Sequence, residues 1–164
     1  MSSETQPTIQ LLAPAKVNLM LSVHGPRADG FHERSSLVVA LDFGDQLSVC
    51  VNQSEKDTLS CDDASVPTGK ENLILQAAEA FRSTTGRQQY FDFQLTKRVP
   101  MGAGLGGGSS DAATALKGMN ALTGAPLSTE ALERLSADLG SDCPFFVQSK
   151  PAMMYGRGER LELL

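Results

Sequence analysis

The first part of the chain alternates apolar and polar residues in the way that β-strands do. From Val17 to Val23 the odd-numbered residues are all apolar, which is typical of a strand with one buried face. Residues 36–41 and 47–51 predict two further strands, and Gly44-Asp45 between them predicts a turn. We therefore expect three strands in succession at the beginning of the chain.

Apolar residues at helical spacing predict three helices in the middle of the chain. These helices cover about residues 73–85, 109–123 and 129–139. Asn72 and Ser128 are suitable N-caps for the first and third helices, because their side-chain oxygens can accept hydrogen bonds from backbone N–H groups. A glycine follows each of these two helices, as it does at many helix ends.

Shorter segments predict the remaining strands. Alternation at Phe91–Leu95 indicates one strand, and residues 58–61, 144–147, 152–155 and 161–164 indicate short ones. The order of strands and helices is a mixed α+β pattern rather than a regular alternation of the two. The last segment is still alternating at its final residue, so we expect that more chain follows it in the whole protein.

Length and charge narrow the class of protein. The chain has 164 residues, which suits one domain, and 41% of them are hydrophobic. A net charge of -5 argues against a general nucleic-acid or membrane-surface binder. The three cysteines are scattered and odd in number, and no apolar run is long enough to span a bilayer. We therefore expect a cytoplasmic protein with reduced thiols.

The most distinctive segment is Met101–Asp111, in which five glycines lie within seven residues between a predicted strand and a predicted helix. Glycine lets the backbone approach a ligand closely, and the N-terminus of the helix offers free N–H groups. Both features suit a diphosphate or triphosphate. The segment therefore predicts a phosphate-binding loop.

Three other interpretations of the glycines fit less well. The P-loop pattern needs a lysine after the last glycine, and none follows here. The dinucleotide-binding pattern matches Gly102, Gly104 and Gly107, but Pro100 interrupts the passage from strand to loop and no parallel βαβ unit is indicated. A flexible linker would need neither the preceding strand nor the alanine-rich helix that follows.

Four motifs in one order resemble a known kinase family. Pro100–Ala112 is similar to the phosphate loop of the superfamily of galactokinases, homoserine kinases and mevalonate kinases, and Pro14–Leu19 is similar to its first motif. Gly140–Phe146 and Arg27–His32 resemble elements of one family within it, the diphosphocytidyl-methylerythritol kinases. The resemblance covers nearly all of the chain, and the Arg27–His32 element narrows the substrate.

The resemblance implies a fold, a reaction and a division into domains. The implied fold class is α+β, the N-terminal domain of the small-molecule kinase superfamily (ribosomal protein S5 domain 2-like), with a mixed, mostly antiparallel sheet packed with helices. We expect a frayed segment at residues 1–8 and an ATP- and substrate-binding domain at residues 9–164, with a C-terminal domain absent. Family members phosphorylate the 2-hydroxyl of 4-diphosphocytidyl-2-C-methyl-D-erythritol with ATP and Mg²⁺.

Lys16 and Asp142 are the catalytic residues that the resemblance implies. Asp142 is the candidate base, and its expected place after a helix C-terminus would favour a more basic carboxylate. Lys16 would orient Asp142 and stabilise charge on the attacking oxygen. Asn18 lies two residues further along the strand, so its side chain shares a face with Lys16 and is assigned to the substrate.

The remaining site residues are also implied by the resemblance. Phe31 and His32 resemble residues that hold the cytosine ring, whereas on their own they would be interpreted as a core aromatic and a surface imidazole. Ser110 is a candidate Mg²⁺ ligand and a helix cap. The residues assigned to ATP are Pro100, Met101, Gly102, Ala103, Gly104, Leu105, Gly106, Gly107, Gly108, Ser109, Ser110, Asn72 and Lys97.

Two alternatives to this function stay open. One is another kinase of the superfamily, which acts on homoserine, mevalonate or a sugar. The other is a fragment that binds ligands without turnover. For partners we expect a small-molecule substrate, no nucleic acid and no membrane, and self-association through apolar surface that a missing domain would leave exposed.

Overall fold

A computed structural model of the chain describes residues 5–164, in which one mixed sheet packs against helices. The elements follow the order β1, β2, β3, α1, β4, α2, α3, α4, β5 and β6. Their bounds are β1 Thr8–Pro26, β2 His32–Asn52, β3 Thr58–Cys61, α1 Leu73–Thr85, β4 Tyr90–Thr96, α2 Gly107–Leu122, α3 Thr129–Ala137, α4 Cys143–Gln148, β5 Ala152–Gly156 and β6 Arg160–Leu163.

The long strand β2 organises the sheet. Along one edge it pairs with β1, and along the other it pairs first with β5 and then with β4. These pairs and the β5–β6 pair are antiparallel, whereas β3 and β4 are parallel. The predicted α+β fold with a mixed, mostly antiparallel sheet is therefore confirmed.

The core lies between the sheet and the helices. Helix α2 contacts β1, β2 and α1, and it is buried on nearly all sides because its small side chains allow close packing. Phe81 of α1 meets Phe91 of β4 edge to face, with ring centroids 6.5 Å apart. Asn72 caps α1 as predicted, since its side chain accepts a hydrogen bond from the Ile74 N–H. No helix within residues 5–164 is long and apolar enough to cross a bilayer.

The predicted turn at Gly44-Asp45 is wrong, because β2 continues through both residues. Gly44 pairs with Pro14 of β1, and a Cβ on Gly44 would lie 2.1 Å from the backbone oxygen of Ala13. The glycine therefore permits a close approach of two strands rather than a reversal of the chain. Asp45 is completely buried and accepts hydrogen bonds from other elements.

The predicted strand at residues 144–147 is also wrong, because these residues belong to the helix α4. The segment is apolar and buried throughout, so it has no periodicity that would separate a strand from a helix. Pro144 stands in the first turn of α4, where its missing N–H costs nothing. Asp142 consequently precedes a helix N-terminus, and the argument that placed it after a helix C-terminus is wrong.

The apolar face predicted for residues 17–23 is exposed rather than buried. Leu19, Leu21 and Val23 are 63%, 56% and 60% exposed. The fully buried part of β1 is limited to residues 13–16, which α2 and the glycine-rich segment cover. Alternation correctly predicts the strand, but it does not show whether a second layer covers its apolar face.

The start of β1 also differs from the expected frayed segment. Thr8 already pairs with Cys50 of β2, and the Pro7 carbonyl accepts a hydrogen bond from the Val51 N–H. Pairing with β2 gives these backbone groups partners that a polar sequence does not predict. Residues 1–4 of the predicted frayed segment lie outside the described residues.

Replacing Gly44 with alanine should destabilise the fold by about 2 kcal/mol or more, because a Cβ there meets backbone atoms that cannot rotate away. Urea unfolding of Gly44→Ala measures this effect. Gly25→Ala is the matched control, since Gly25 lies in the same β1–β2 pair but nothing is within 4 Å of its Cβ position. Equal stability of the two variants would contradict the close approach at Gly44.

Candidate functional site

The glycine-rich segment forms the passage from β4 into α2. Gly106 takes the N-cap position of α2 with φ of 72°, a conformation that favours glycine. A Cβ on Gly106 would lie 2.8 Å from the Phe146 ring and 3.1 Å from Cγ of Lys16. The Lys16 N–H also donates a hydrogen bond to the Leu105 carbonyl at 2.9 Å. The loop is therefore held against β1 and α4 at its last turn.

A cavity of about 530 Å³ lies between this loop and the start of α1. Its size is in the range of small-molecule sites. Val66, Pro67, Leu73 and Met101 give it an apolar part, and the first turn of α2 offers N–H groups without helical partners. The predicted ATP residues on its wall are Asn72, Lys97, Pro100, Met101, Gly102, Ala103, Gly104, Leu105, Gly106, Gly107, Gly108 and Ser109.

Ser110 is the one predicted ATP residue that does not lie on this wall. Its side chain is completely buried and its hydroxyl has no hydrogen-bond partner among the described residues. Ser110 is inside α2, where its N–H donates to the Gly106 carbonyl, so the predicted cap role is wrong. The helix begins two residues earlier than the sequence predicts, and Ser109, the residue before Ser110, lies on the cavity wall.

Beneath the loop a buried lysine joins two carboxylates. Lys97 Nζ lies 2.7 Å from Asp45 Oδ2 and 3.0 Å from Asp111 Oδ2. Asp45 also accepts hydrogen bonds from the Arg98 and Val99 N–H groups at 2.6 and 2.8 Å. The ammonium group of Lys97 is thus bound by the two carboxylates of this cluster. The residue, which the sequence assigns to ATP, also lies on the cavity wall. The sequence analysis did not identify Asp45 or Asp111 as part of the site.

One lysine cannot neutralise two buried carboxylates, and the pKa values of the cluster reflect this. Burial and a hydrogen bond shared with Asp45 raise the pKa of Asp111 to about 8, against the attraction of Lys97. Burial by itself raises the pKa of Asp45, but hydrogen bonds from Asp111, Lys97 and two backbone N–H groups bring it below its ordinary value. Asp111 therefore holds the proton and Asp45 the charge.

Lys16 and Asp142 are brought together, with 4.0 Å between Nζ and Oδ2. Lys16 is almost buried, and its partner is about one-third exposed. Both residues lie on the wall of the larger cavity and on the wall of a second cavity of about 240 Å³. A group bound in either cavity would therefore face the same lysine and carboxylate.

The second cavity contains a further predicted residue and two that the sequence analysis missed. Asn18 lies on its wall and accepts a hydrogen bond from the Ser36 hydroxyl at 3.1 Å. Arg34 of β2 and Arg157, which follows β5, also line it. Both arginines are exposed, as most arginines are, so no sequence signal distinguished these two from the rest.

Phe31 and His32 lie outside both cavities: Phe31 is in the turn that joins β1 and β2, and His32 is the first residue of β2. Phe31 is 47% exposed, which rules out a core aromatic, and the Arg157 guanidinium lies 4.1 Å from its ring centroid. His32 is exposed, and its Nδ1 lies 3.2 Å from the His24 carbonyl oxygen. Arg157 therefore links Phe31 to the second cavity.

The described residues contain no group of three or more histidine, cysteine or acidic side chains that could hold a metal ion. Asp142 offers a carboxylate at the junction of the two cavities, and Ser109 offers a hydroxyl from the wall of the larger one. Such a sparse set suits Mg²⁺ held mainly by phosphate oxygens and water, and it does not suit a metal held by the protein alone.

The chain is similar to known kinases. The family described as GHMP kinases N terminal domain matches residues 72–150. The 4-diphosphocytidyl-2-C-methyl-D-erythritol kinase of Synechococcus sp. (strain CC9902) is 48% identical over 155 residues, which are 94% of this chain and 50% of that protein. A crystal structure of 4-(cytidine 5'-diphospho)-2C-methyl-D-erythritol kinase has a TM-score of 0.81 and 40% identity, and the match covers 95% of this chain and 55% of that one.

A more distant likeness shows the fold alone. The crystal structure of homoserine kinase from Cytophaga hutchinsonii superimposes on all of this chain and 53% of its own with a TM-score of 0.73, but only 18% of the residues are identical. The chain thus spans about half the length of the curated relatives and solved structures that it matches.

The free energy of unfolding should fall as the pH rises from about 5 to about 8, partly because of Asp111. Its pKa is raised on folding, so in this range the folded chain keeps a proton that the unfolded chain has already released at lower pH. Asp111→Asn removes this contribution, which is at most about 1.4 kcal/mol per pH unit, and should flatten the dependence. Urea unfolding across this pH range measures it.

Asp138→Asn, at the exposed end of α3, is the matched control and should leave the pH dependence of the wild-type chain in place. An unchanged slope in Asp111→Asn would contradict a protonated Asp111 in the folded chain.

Proposed function

This chain belongs to the superfamily of galactokinases, homoserine kinases and mevalonate kinases, and we propose that it carries the ATP and acceptor sites of such a kinase. It corresponds to the N-terminal half of 4-diphosphocytidyl-2-C-methyl-D-erythritol kinases. The reaction would transfer the γ-phosphoryl group of ATP to the 2-hydroxyl of the acceptor, a step of the non-mevalonate route to isoprenoid precursors. The observation that carries the proposal is that two cavities meet at Lys16 and Asp142.

The larger cavity suits ATP for physical reasons. Its apolar part, near Leu73 and Met101, can take the adenine ring, and the glycine-rich loop exposes backbone rather than side chains to the phosphates. The N-terminus of α2 adds free N–H groups and the positive end of a helix dipole. Gly106 has no room for a Cβ, so the loop path that forms this cradle depends on glycine.

Mg²⁺ is the cofactor that we propose beside ATP. When bound, it would neutralise charge on the phosphate oxygens that link the two cavities. Asp142, where the two cavities meet, and Ser109, on the wall of the larger one, are the residues that we propose as its oxygen ligands. Ser110, which the sequence suggested for this role, has its hydroxyl buried away from the cavity wall, and we transfer the proposal to Ser109.

Lys16 and Asp142 perform the chemistry in this proposal. Asp142 lies at the junction of the cavities, where its carboxylate can orient the acceptor hydroxyl and accept its proton. Lys16 is nearly buried, so its charge acts in a medium of low dielectric and can stabilise the attacking oxygen. Asn18, whose side chain is fixed by Ser36, would hold the acceptor in the smaller cavity.

Phe31 and His32 remain our proposal for the cytosine site. The exposed ring of Phe31 can stack on a base, and the His32 imidazole can form a hydrogen bond with a base edge. The two residues are consecutive, and Phe31 contacts Arg157, which lines the smaller cavity. This arrangement is consistent with a long acceptor whose base lies far from its reacting hydroxyl.

Two features predicted from the sequence stay as proposals. The cytoplasmic location rests on the sequence alone. Self-association would use the exposed apolar side chains of Leu19, Leu21 and Val23.

Replacing Asp142 with asparagine should reduce phosphoryl transfer to 4-diphosphocytidyl-2-C-methyl-D-erythritol in the whole protein by at least about 100-fold. The amide keeps the shape of the side chain but cannot accept the hydroxyl proton. The dissociation constant for a non-hydrolysable ATP analogue, measured by calorimetry, should change little. The measurement is therefore the turnover rate beside the nucleotide affinity.

Asp138→Asn is again the control, because Asp138 lines neither cavity. Substantial turnover in Asp142→Asn would exclude Asp142 as the base. Turnover by the wild-type protein with homoserine or mevalonate, but not with the cytidine compound, would indicate another kinase of the superfamily. If the 164-residue chain binds these ligands but shows no turnover, it is a fragment that binds ligands without catalysis.

A further inference from the structure

The smaller cavity has an excess of positive charge. Lys16, Arg34 and Arg157 line it, and Asp142 is the one acidic residue on its wall among the described residues. Lys16 forms an ion pair with Asp142, with 4.0 Å between Nζ and Oδ2. The two arginines are therefore surplus to the pair that we assign to the chemistry.

Neither of these two arginines forms an ion pair with a residue in the described part of the chain. Their neighbours behave differently. Arg27 lies 3.3–3.4 Å from carboxylate oxygens of Asp29, Glu33 and Glu159, and Arg160 also pairs with Glu33. The local acidic residues thus neutralise Arg27 and Arg160 and leave Arg34 and Arg157 uncompensated. An uncompensated pair of guanidinium groups in a cavity favours an anionic ligand.

The sheet holds the two arginines next to each other. Arg34 pairs with Gly156 across β2 and β5, and Arg157 is the next residue. The Gly156 N–H also donates a hydrogen bond to the Glu33 carboxylate, which fixes the start of this turn. Their spacing is therefore set by strand pairing and not by two independent loops.

Arg157 also lies between two parts of the proposed acceptor site. Its guanidinium covers one face of the Phe31 ring at 4.1 Å from the centroid, while the residue lines the cavity that contains Lys16 and Asp142. Stacking limits the directions in which the guanidinium can move and leaves its N–H groups free. The segment of ligand between a base at Phe31 and a hydroxyl at Asp142 would consequently pass these arginines.

We propose that Arg34 and Arg157 bind a diphosphate group, the one that links the nucleoside to the polyol in the acceptor. This inference rests on the proposed function and adds to it the residues that recognise the diphosphate. Two planar guanidinium groups that line one cavity can form paired hydrogen bonds with adjacent phosphates. They make the site selective for nucleoside diphosphate derivatives over neutral acceptors such as sugars.

Calorimetric titration with cytidine and with CDP tests this assignment. The wild-type protein should bind CDP more tightly than cytidine. In Arg34→Gln and in Arg157→Gln the affinity for CDP should fall by about 10- to 100-fold, as for a lost charge-assisted hydrogen bond, while the affinity for cytidine changes little. Arg157→Lys keeps the charge without the planar fork and should give an intermediate loss. Thermal melting verifies that each variant is folded.

Arg160→Gln is the matched control, because Arg160 is a neighbouring arginine that is paired with Glu33 and lines neither cavity. Unchanged CDP affinity in both glutamine variants would overturn the inference and leave the proposed function intact. An equal loss for cytidine and CDP would also overturn it, because the arginines would then act through Phe31. Failure of the wild-type protein to bind CDP, with an ATP analogue still bound, would overturn the cytidine acceptor and this inference with it.

Discussion

The ion cluster beneath the glycine-rich loop is the interaction on which the rest of the structure depends. Lys97 joins Asp45 of β2 to Asp111 of α2, and Asp45 also holds the backbone that leads from β4 into the loop. Charges of this kind are costly to bury, and they are tolerated only when each has partners. The proton on Asp111 completes the balance. Loss of Lys97 or of Asp45 would leave an unpaired buried charge directly under the loop.

A second set of contacts positions Lys16 and Asp142 relative to the glycine-rich loop. The backbone of Lys16 is hydrogen-bonded to Leu105, and Gly106 packs without a Cβ between Lys16 and Phe146. The loop, the buried part of β1 and the helix α4 therefore meet at one point. Asp142, which immediately precedes α4, is placed 4.0 Å from the Lys16 ammonium as a result. A short loop shift at this point would separate the pair from both cavities.

The two cavities differ in the chemical groups that line them. The larger one offers backbone amides, apolar surface and two lysines that are each paired with a carboxylate of the chain. The smaller one offers arginines and a lysine. The chain has a net charge of -5, yet the lining of this cavity is positive. The nearby acidic residues pair with neighbouring arginines and do not neutralise those of the cavity. Local arrangement, and not total charge, decides what anions can bind here.

Features that depend on neighbours along the chain could be predicted from the order of the residues. Helix caps at Asn72 and Ser128, the strand period at residues 91–95 and the glycine-rich entry to α2 are local, and each is found in the structure. The resemblance supplied the Lys16–Asp142 pair, which composition and spacing could not. The mixed, mostly antiparallel sheet was likewise expected from the family.

Features that arise from contacts between residues distant in sequence became visible in the folded chain. Gly44 lies where two strands approach closely and not in a turn. Residues 144–147 are buried on all sides, so their apolar sequence has no period that would separate the helix they form from a strand. The partners of Lys97 lie 52 and 14 residues away, and those distances leave no sequence signal. Arg34 and Arg157 likewise become neighbours only through pairing of β2 with β5. A single sequence encodes period and local caps directly, whereas charge pairing and burial depend on how distant segments pack.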